Sequence, residues 1–102
     1  MRHTKIIATV GPASAADDVL EALIAAGTDI FRLNFSHGTQ QTQADTFARV
    51  RAAAARSRRE VAILQDLAGP KIRTGTLPGG KPMSLETGQT LYAERGTSPV
   101  AA

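Results

Sequence analysis

Four polar residues have the types and spacing to bind a phosphorylated ligand. Arg32, Asn34 and Ser36 are two residues apart in the segment "RLNFS", so an extended backbone would direct all three to the same side. Asp66 ends a later apolar run, "VAILQD". A guanidinium fork binds two phosphate oxygens at once, and Asn, Ser and Asp oxygens suit a hard cation. Together they predict a site for an anionic ligand and a counter-cation.

A structural interpretation of the same residues stays open on spacing alone. Arg32 would then be a surface residue at a strand end, Asn34 and Ser36 would form a loop, and Asp66 would cap a helix.

The hydrophobic pattern predicts strands and helices in alternation, which favours βαβ units and a parallel sheet. Each polar segment follows a strand, and ligands of parallel α/β folds bind at the carboxyl ends of strands. The β-branched composition of the strands predicts burial on both faces. The predicted elements are strands over 5–10, 29–33 and 61–66, a first helix between Ser14 and Gly27 with Asp17 in its first turn, and a second helix from Thr39 to about Arg56.

Local signals refine the two helices. Ser14 is the predicted N-cap of the first helix and Gly27 its predicted stop. In the second helix, Phe47, Val50 and Ala54 lie three or four residues apart, which is the spacing of a helix.

The pattern changes after Gly69. Shorter periods and the turn signal Pro78-Gly79-Gly80 predict the start of a β-rich region. We therefore predict two domains, residues 1–70 and residues 71–102.

Composition limits the classes of function. The 102-residue chain has no cysteine, which excludes disulfides and thiolate metal sites. Its N-terminal apolar run is too short for a signal peptide or a membrane span, so we predict a cytoplasmic protein. A net charge of +3 and a pI near 10.0 invite a nucleic-acid hypothesis. A solvated helix face explains the clustered arginines better, because no aromatic residues interleave them. The cluster comprises Arg49, Arg51, Arg56, Arg58 and Arg59.

Three segments resemble motifs of the pyruvate kinase family, in the same order: "TKIIATVGPAS", "AGTDIFRLNFSHGT" and "DLAGPKIRTG". The resemblance implies the N-terminal βαβαβ portion of a (β/α)₈ TIM barrel, followed by the start of a small β-rich inserted domain. It implies phosphoryl transfer between phosphoenolpyruvate and ADP, giving pyruvate and ATP in glycolysis. It further implies use of Mg²⁺ and K⁺, and a homotetramer.

The resemblance also implies a role for each matched residue. Arg32 corresponds to the arginine that contacts the transferred phosphoryl group. The matched ligands of the monovalent cation are Asn34, Ser36, Asp66 and the backbone carbonyl of Leu67. The positions that line the nucleotide site are Pro12, Asn34, His37 and Arg73. For His37, a solvent-facing ring at a helix start is the alternative.

Three positions depart from the family pattern. Thr42 stands where many members have a tyrosine near the adenine, and Leu67 replaces a threonine. Lys71 stands where potassium-dependent members have a glutamate, so its ammonium group could supply the charge that K⁺ brings elsewhere. An ordinary solvated lysine is the alternative.

By the same resemblance, the catalytic lysine and the Mg²⁺ ligands lie outside this chain. We expect the isolated chain to be inactive because it lacks these groups, and to be marginally stable because three strands cannot close a barrel. A binding module for nucleotide or phosphate, without catalysis, is the alternative function.

Overall fold

Three parallel strands and two helices alternate along the first part of the chain, so the predicted βαβαβ order is confirmed. The computed structural model describes residues 2–93 and 95. Neighbouring strands pair in the order β1-β2-β3. The elements are β1 (Ile7–Thr9), α1 (Asp17–Ala26), β2 (Ile30–Asn34), α2 (Gln40–Ser57) and β3 (Ala62–Asp66).

The start of α1 differs from the prediction, whereas its end is as predicted. Gly27 ends the helix with φ 111°, a left-handed conformation that glycine adopts without steric cost. The prediction of Ser14 as N-cap is wrong, since Ala16 holds that position without a side-chain hydrogen bond. The Ser14 Oγ instead accepts a hydrogen bond of 3.0 Å from the Gly11 N–H. Ser14 therefore closes the turn after β1.

Two threonines fix the start of α2. The Thr39 Oγ1 accepts from the Thr42 N–H at 3.2 Å, and the Thr42 Oγ1 accepts from the Thr39 N–H at 2.8 Å. This reciprocal capping satisfies backbone donors that the first helical turn leaves unpaired. Neither α1 nor α2 is long and apolar enough to cross a membrane, and the same holds for every helix in the described part of the chain.

The core lies between one face of the sheet and the two helices. In α2, Val50 and Ala54 are buried, whereas Phe47 is 46% exposed. The guanidinium of Arg51 lies 5.3 Å from the centre of the Phe47 ring, a cation–π contact that shields the ring. The core consists of Leu20, Ile24, Phe31, Val50, Ala53, Ala54 and Val61.

Within the described residues, no helix packs on the second face of the sheet, so the predicted burial on both faces is wrong. Ile7 is 54% exposed and Leu64 is 39% exposed. Both alternate along their strands with Ala8 and Ile63, which pack against the core. We call the uncovered side the open face.

The chain divides into two compact units, Met1–Gly69 and Pro70–Ala102. Among its described residues, 70–93 and 95, the second unit contains no strand. Its one regular feature there is a 3₁₀ turn at Pro78–Gly80, where the sequence predicted a hairpin turn. That this unit begins an inserted β-domain stays a prediction.

Candidate functional site

Strand register brings three of the predicted site residues to the carboxyl end of the open face. Thr9, Arg32 and Leu64 are Cα partners across the sheet, and Asn34 is the partner of Asp66. Arg32 and Asn34 alternate with the buried Phe31 and Leu33, so their side chains belong to the open face.

Arg32 is held by hydrogen bonds on two sides. Its Nε donates to the Asp66 Oδ2 at 2.9 Å, and its Nη2 pairs with the same oxygen. Its Nη1 donates to the Thr9 Oγ1 at 3.2 Å. Among contacts with the described residues, these bonds use three of the five guanidinium N–H groups, which leaves two for another acceptor. Sequence reasoning missed Thr9, although a hydroxyl near the end of an otherwise apolar strand was a usable signal.

Ser36 reaches the site by a different geometry from the one predicted. Strand β2 ends at Asn34 and Ser36 lies in the turn that follows, so strand alternation does not place its side chain. The Ser36 N–H donates to the Asn34 Oδ1 at 3.1 Å. Contacts therefore link Ser36 to Asn34, which in turn pairs with Asp66 in the sheet.

The oxygen atoms in this region have the chemistry of a monovalent-cation site, but part of their capacity is in use. The Asp66 Oδ2 accepts from Arg32, and the Asn34 Oδ1 accepts from the Ser36 N–H. Leu67 follows β3 and is 70% exposed. The charge of Asp66 is already balanced by Arg32. It stays a prediction that a monovalent cation is bound by Asn34, Ser36, Asp66 and the Leu67 carbonyl.

The predicted nucleotide residues fall into both units. Pro12 and His37 are exposed and lie in the loops after β1 and β2, at the carboxyl edge of the sheet. Lys71 and Arg73 belong to the second unit. The nucleotide role of these residues and the potassium-replacing role of Lys71 stay predictions.

Thr42 and Gln43 have structural contacts that the sequence did not reveal. Thr42 belongs to the reciprocal cap of α2, which explains a hydroxyl residue at this position. The Gln43 Nε2 donates to the backbone carbonyls of Asn34 and His37, at 3.0 and 2.8 Å. The loop after β2 is therefore tied to the first turns of α2.

The clustered arginines are exposed, as predicted, yet most of them are paired. Arg49, Arg51 and Arg59 donate to the carbonyls of Ala15, Val61 and Ile24, and Arg56 pairs with Glu21. These contacts connect α2 and the residues after it to α1, to the residue before β3 and to the loop before α1. A cavity of about 500 Å³ lies beside Arg51, Arg58 and Arg59, at the amino end of β3, and includes none of the predicted site residues.

Asp29 is an ionised group at the opposite end of the sheet from Arg32. A hydrogen bond of 2.9 Å from the Ile6 N–H to its Oδ2 is the main reason that the pKa of Asp29 is lowered from 3.8. Partial desolvation opposes this shift, while the positive charges of Arg2, Lys5 and Arg59 add to it. Asp29 thus stabilises the start of β2, which it joins to the residue before β1.

Residues 1–98 match the family model described as pyruvate kinase, barrel domain. A pyruvate kinase of Agrobacterium vitis is 49% identical over 98 residues, which cover 96% of this chain and 20% of the relative. The pyruvate kinase of Haemophilus influenzae is 48% identical over 81 residues, covering 79% of this chain and 17% of the relative. Rat pyruvate kinase PKLR is 47% identical over 91 residues, covering 83% and 16%.

The chain therefore spans about a fifth or less of the length of these relatives. The matched region includes β1, β2, β3 and both helices, together with Arg32, Asn34 and Asp66. Since the match covers nearly the whole chain, the chain belongs to the pyruvate kinase family, within its barrel domain.

Proposed function

We propose that this protein takes part in phosphoryl transfer between phosphoenolpyruvate and ADP, which gives pyruvate and ATP. The observation that carries the proposal is the fixed guanidinium of Arg32 at the carboxyl edge of the sheet, held by Asp66 and Thr9. The relatives, which are pyruvate kinases, support the same reaction.

Arg32 would stabilise charge during the transfer. Negative charge spreads over the phosphoryl oxygens in the transition state, and a donor that is already oriented stabilises it without reorganisation. The two remaining N–H groups of Arg32 suit two such oxygens. Pro12, Asn34, His37 and Arg73 would line the nucleotide site. The remaining catalytic groups and the Mg²⁺ ligands would lie outside this chain, and the protein would work in the cytoplasm.

A chimera tests the proposal in a complete catalytic site. This chain would replace the matched segment of the Haemophilus influenzae pyruvate kinase, with pyruvate formation from phosphoenolpyruvate and ADP as the measurement. We expect turnover in the chimera and a loss of about 100-fold or more in Arg32→Ala. Arg58→Ala is the matched control, because Arg58 makes no side-chain hydrogen bond or ion pair within the described residues.

Two results would contradict this assignment. A folded chimera without turnover would reject the proposed reaction for this chain. Equal activity of the Arg32→Ala and Arg58→Ala chimeras would reject the role of Arg32. The 102-residue chain alone should show no turnover, and turnover by it would contradict the placement of the other catalytic groups outside the chain.

We also propose that Lys71 makes added potassium unnecessary. Its ammonium group would supply the positive charge that a monovalent cation brings to a site with a carboxylate and a phosphorylated substrate. The chimera should keep its turnover in buffer free of sodium and potassium. Lys71→Glu should then require potassium. A strong potassium requirement before this substitution would reject the role of Lys71 and leave the proposed reaction intact.

A further inference from the structure

One side-chain amide ties together the loop that connects β2 to α2. The Gln43 Nε2 lies 3.0 Å from the carbonyl oxygen of Asn34 and 2.8 Å from that of His37. A primary amide has two N–H donors, so each carbonyl receives one. Because both neighbours are acceptors, the amide must present its nitrogen to the loop.

The Asn34 carbonyl is the meeting point of these bonds. It also accepts from the His37 N–H at 3.3 Å, so both of its lone pairs are in use. The side chain of Asn34 binds the same loop, since its Oδ1 accepts from the Ser36 N–H. Gln43 therefore completes a small network in which Asn34, Ser36 and His37 all participate.

The loop is also held close to α2 at Gly38. Gly38 has φ 73°, and a Cβ built on it would lie 2.6 Å from the Thr42 Oγ1 and 3.7 Å from the Gln43 Nε2. The close approach and the left-handed backbone both require glycine here. Gly38 therefore lets the loop lie close to the first turn of α2, where the Gln43 amide meets its carbonyls.

We propose that Gln43 is a positioning residue for this site. By bonding two carbonyls, it fixes the loop conformation and so places the polar groups of Asn34, Ser36 and His37 beside the end of β2, next to Arg32. The part of this inference that concerns the ligand, a nucleoside diphosphate, rests on the proposed function. The part that concerns the loop conformation rests on the hydrogen bonds alone.

Backbone ¹⁵N relaxation of the full 102-residue chain tests the loop. Gln43→Glu keeps the side-chain shape but removes both donors and turns a carboxylate toward two carbonyls. We expect order parameters of Ser36, His37 and Gly38 to fall from about 0.85 to below about 0.6. Gln40→Glu, the same change at the first residue of α2, should leave them unchanged.

A rescue variant separates positioning from a general loss of structure. Gln43→Lys restores N–H donors through an ammonium group and should return the order parameters to their original values. If Gln43→Glu does not fold, Gln43→Met provides an uncharged side chain of similar length without donors, with the same expected loosening. A loop that stays rigid in the folded donor-free variant would overturn the proposal.

Titration of the same proteins with ADP measures the consequence for binding. We expect Gln43→Glu to weaken ADP binding roughly tenfold through the two lost hydrogen bonds, and Gln43→Lys to restore it. A loosened loop with unchanged ADP affinity would overturn the positioning role. If the unaltered chain has a rigid loop but binds no ADP, the nucleotide role of this chain fails, while relaxation in the Gln43 variants still decides the loop conformation.

Discussion

The side chains of alternate residues of β2 point to opposite faces of the sheet. Phe31 and Leu33 point to the helix-covered face, where their exposed fractions are 0% and 3%. Ile30, Arg32 and Asn34 belong to the open face and remain partly exposed. The covered face provides most of the packing, whereas the open face carries the groups that suit an anionic ligand. Residues on the open face should therefore be replaceable at small cost in stability.

The largest difference in stability is expected between substitutions of one residue from each face. Phe31→Ala should lower the free energy of unfolding by about 3–5 kcal/mol, because it leaves a cavity in the core. Ile7→Ala on the open face should cost roughly 1 kcal/mol or less, since half of that side chain is already in solvent. Urea unfolding followed by circular dichroism measures both. Equal losses would show that the open face is buried in solution.

Gly38 extends the comparison to the loop beside the open face. Gly38→Ala should lower the free energy of unfolding by about 1–2 kcal/mol, because alanine is strained at this φ and its Cβ collides with the Thr42 Oγ1. Gly11→Ala is the control, since a Cβ at Gly11 would meet nothing within 4 Å. The same unfolding measurement applies, and indistinguishable losses would mean that the loop adjusts freely.

A gain in stability is expected from a substitution at Arg58, the residue that follows α2. Arg58 has φ 49°, a left-handed conformation that glycine adopts at helix ends with less strain. Arg58→Gly should raise the free energy of unfolding by about 0.5 kcal/mol. Arg58→Ala removes the same side chain but keeps the strained backbone, so it should give no gain. An equal gain in the unfolding free energy of Arg58→Ala would show that the effect comes from removing the arginine charge.

The smallest expected effect is the pH dependence at Asp29. Since the pKa of Asp29 is lowered from 3.8 in the folded chain, its carboxylate stabilises the fold at higher pH. That contribution is lost as the pH falls below 3.8 and through the lowered value. The unfolding free energy of the unaltered chain should exceed that of Asp29→Asn at about pH 6, and the difference should shrink at about pH 3. A difference that grows on acidification would reverse this assignment.

Much of the architecture follows from local features of the sequence. Apolar runs separated by helical periodicity predicted the order of the five elements, and the left-handed glycine at position 27 ended α1 as expected. The segment "RLNFS" placed Arg32 and Asn34 together because side-chain alternation along a strand is a local rule. The three family motifs predicted membership in the pyruvate kinase family, which the comparisons confirm.

Tertiary contacts decided what local rules could not. The sequence alone determined which residues of β2 share a face; the partners Asp66 and Thr9, which fix Arg32, depend on strand register. Ser14 closes a turn instead of capping α1, since its Oγ accepts from the Gly11 N–H and the helix begins only at Asp17. Gln43 donates to the carbonyls of Asn34 and His37 because the first turn of α2 lies beside the end of β2. A side chain's partner depends on the path of the whole chain, and residue type and spacing do not specify that path.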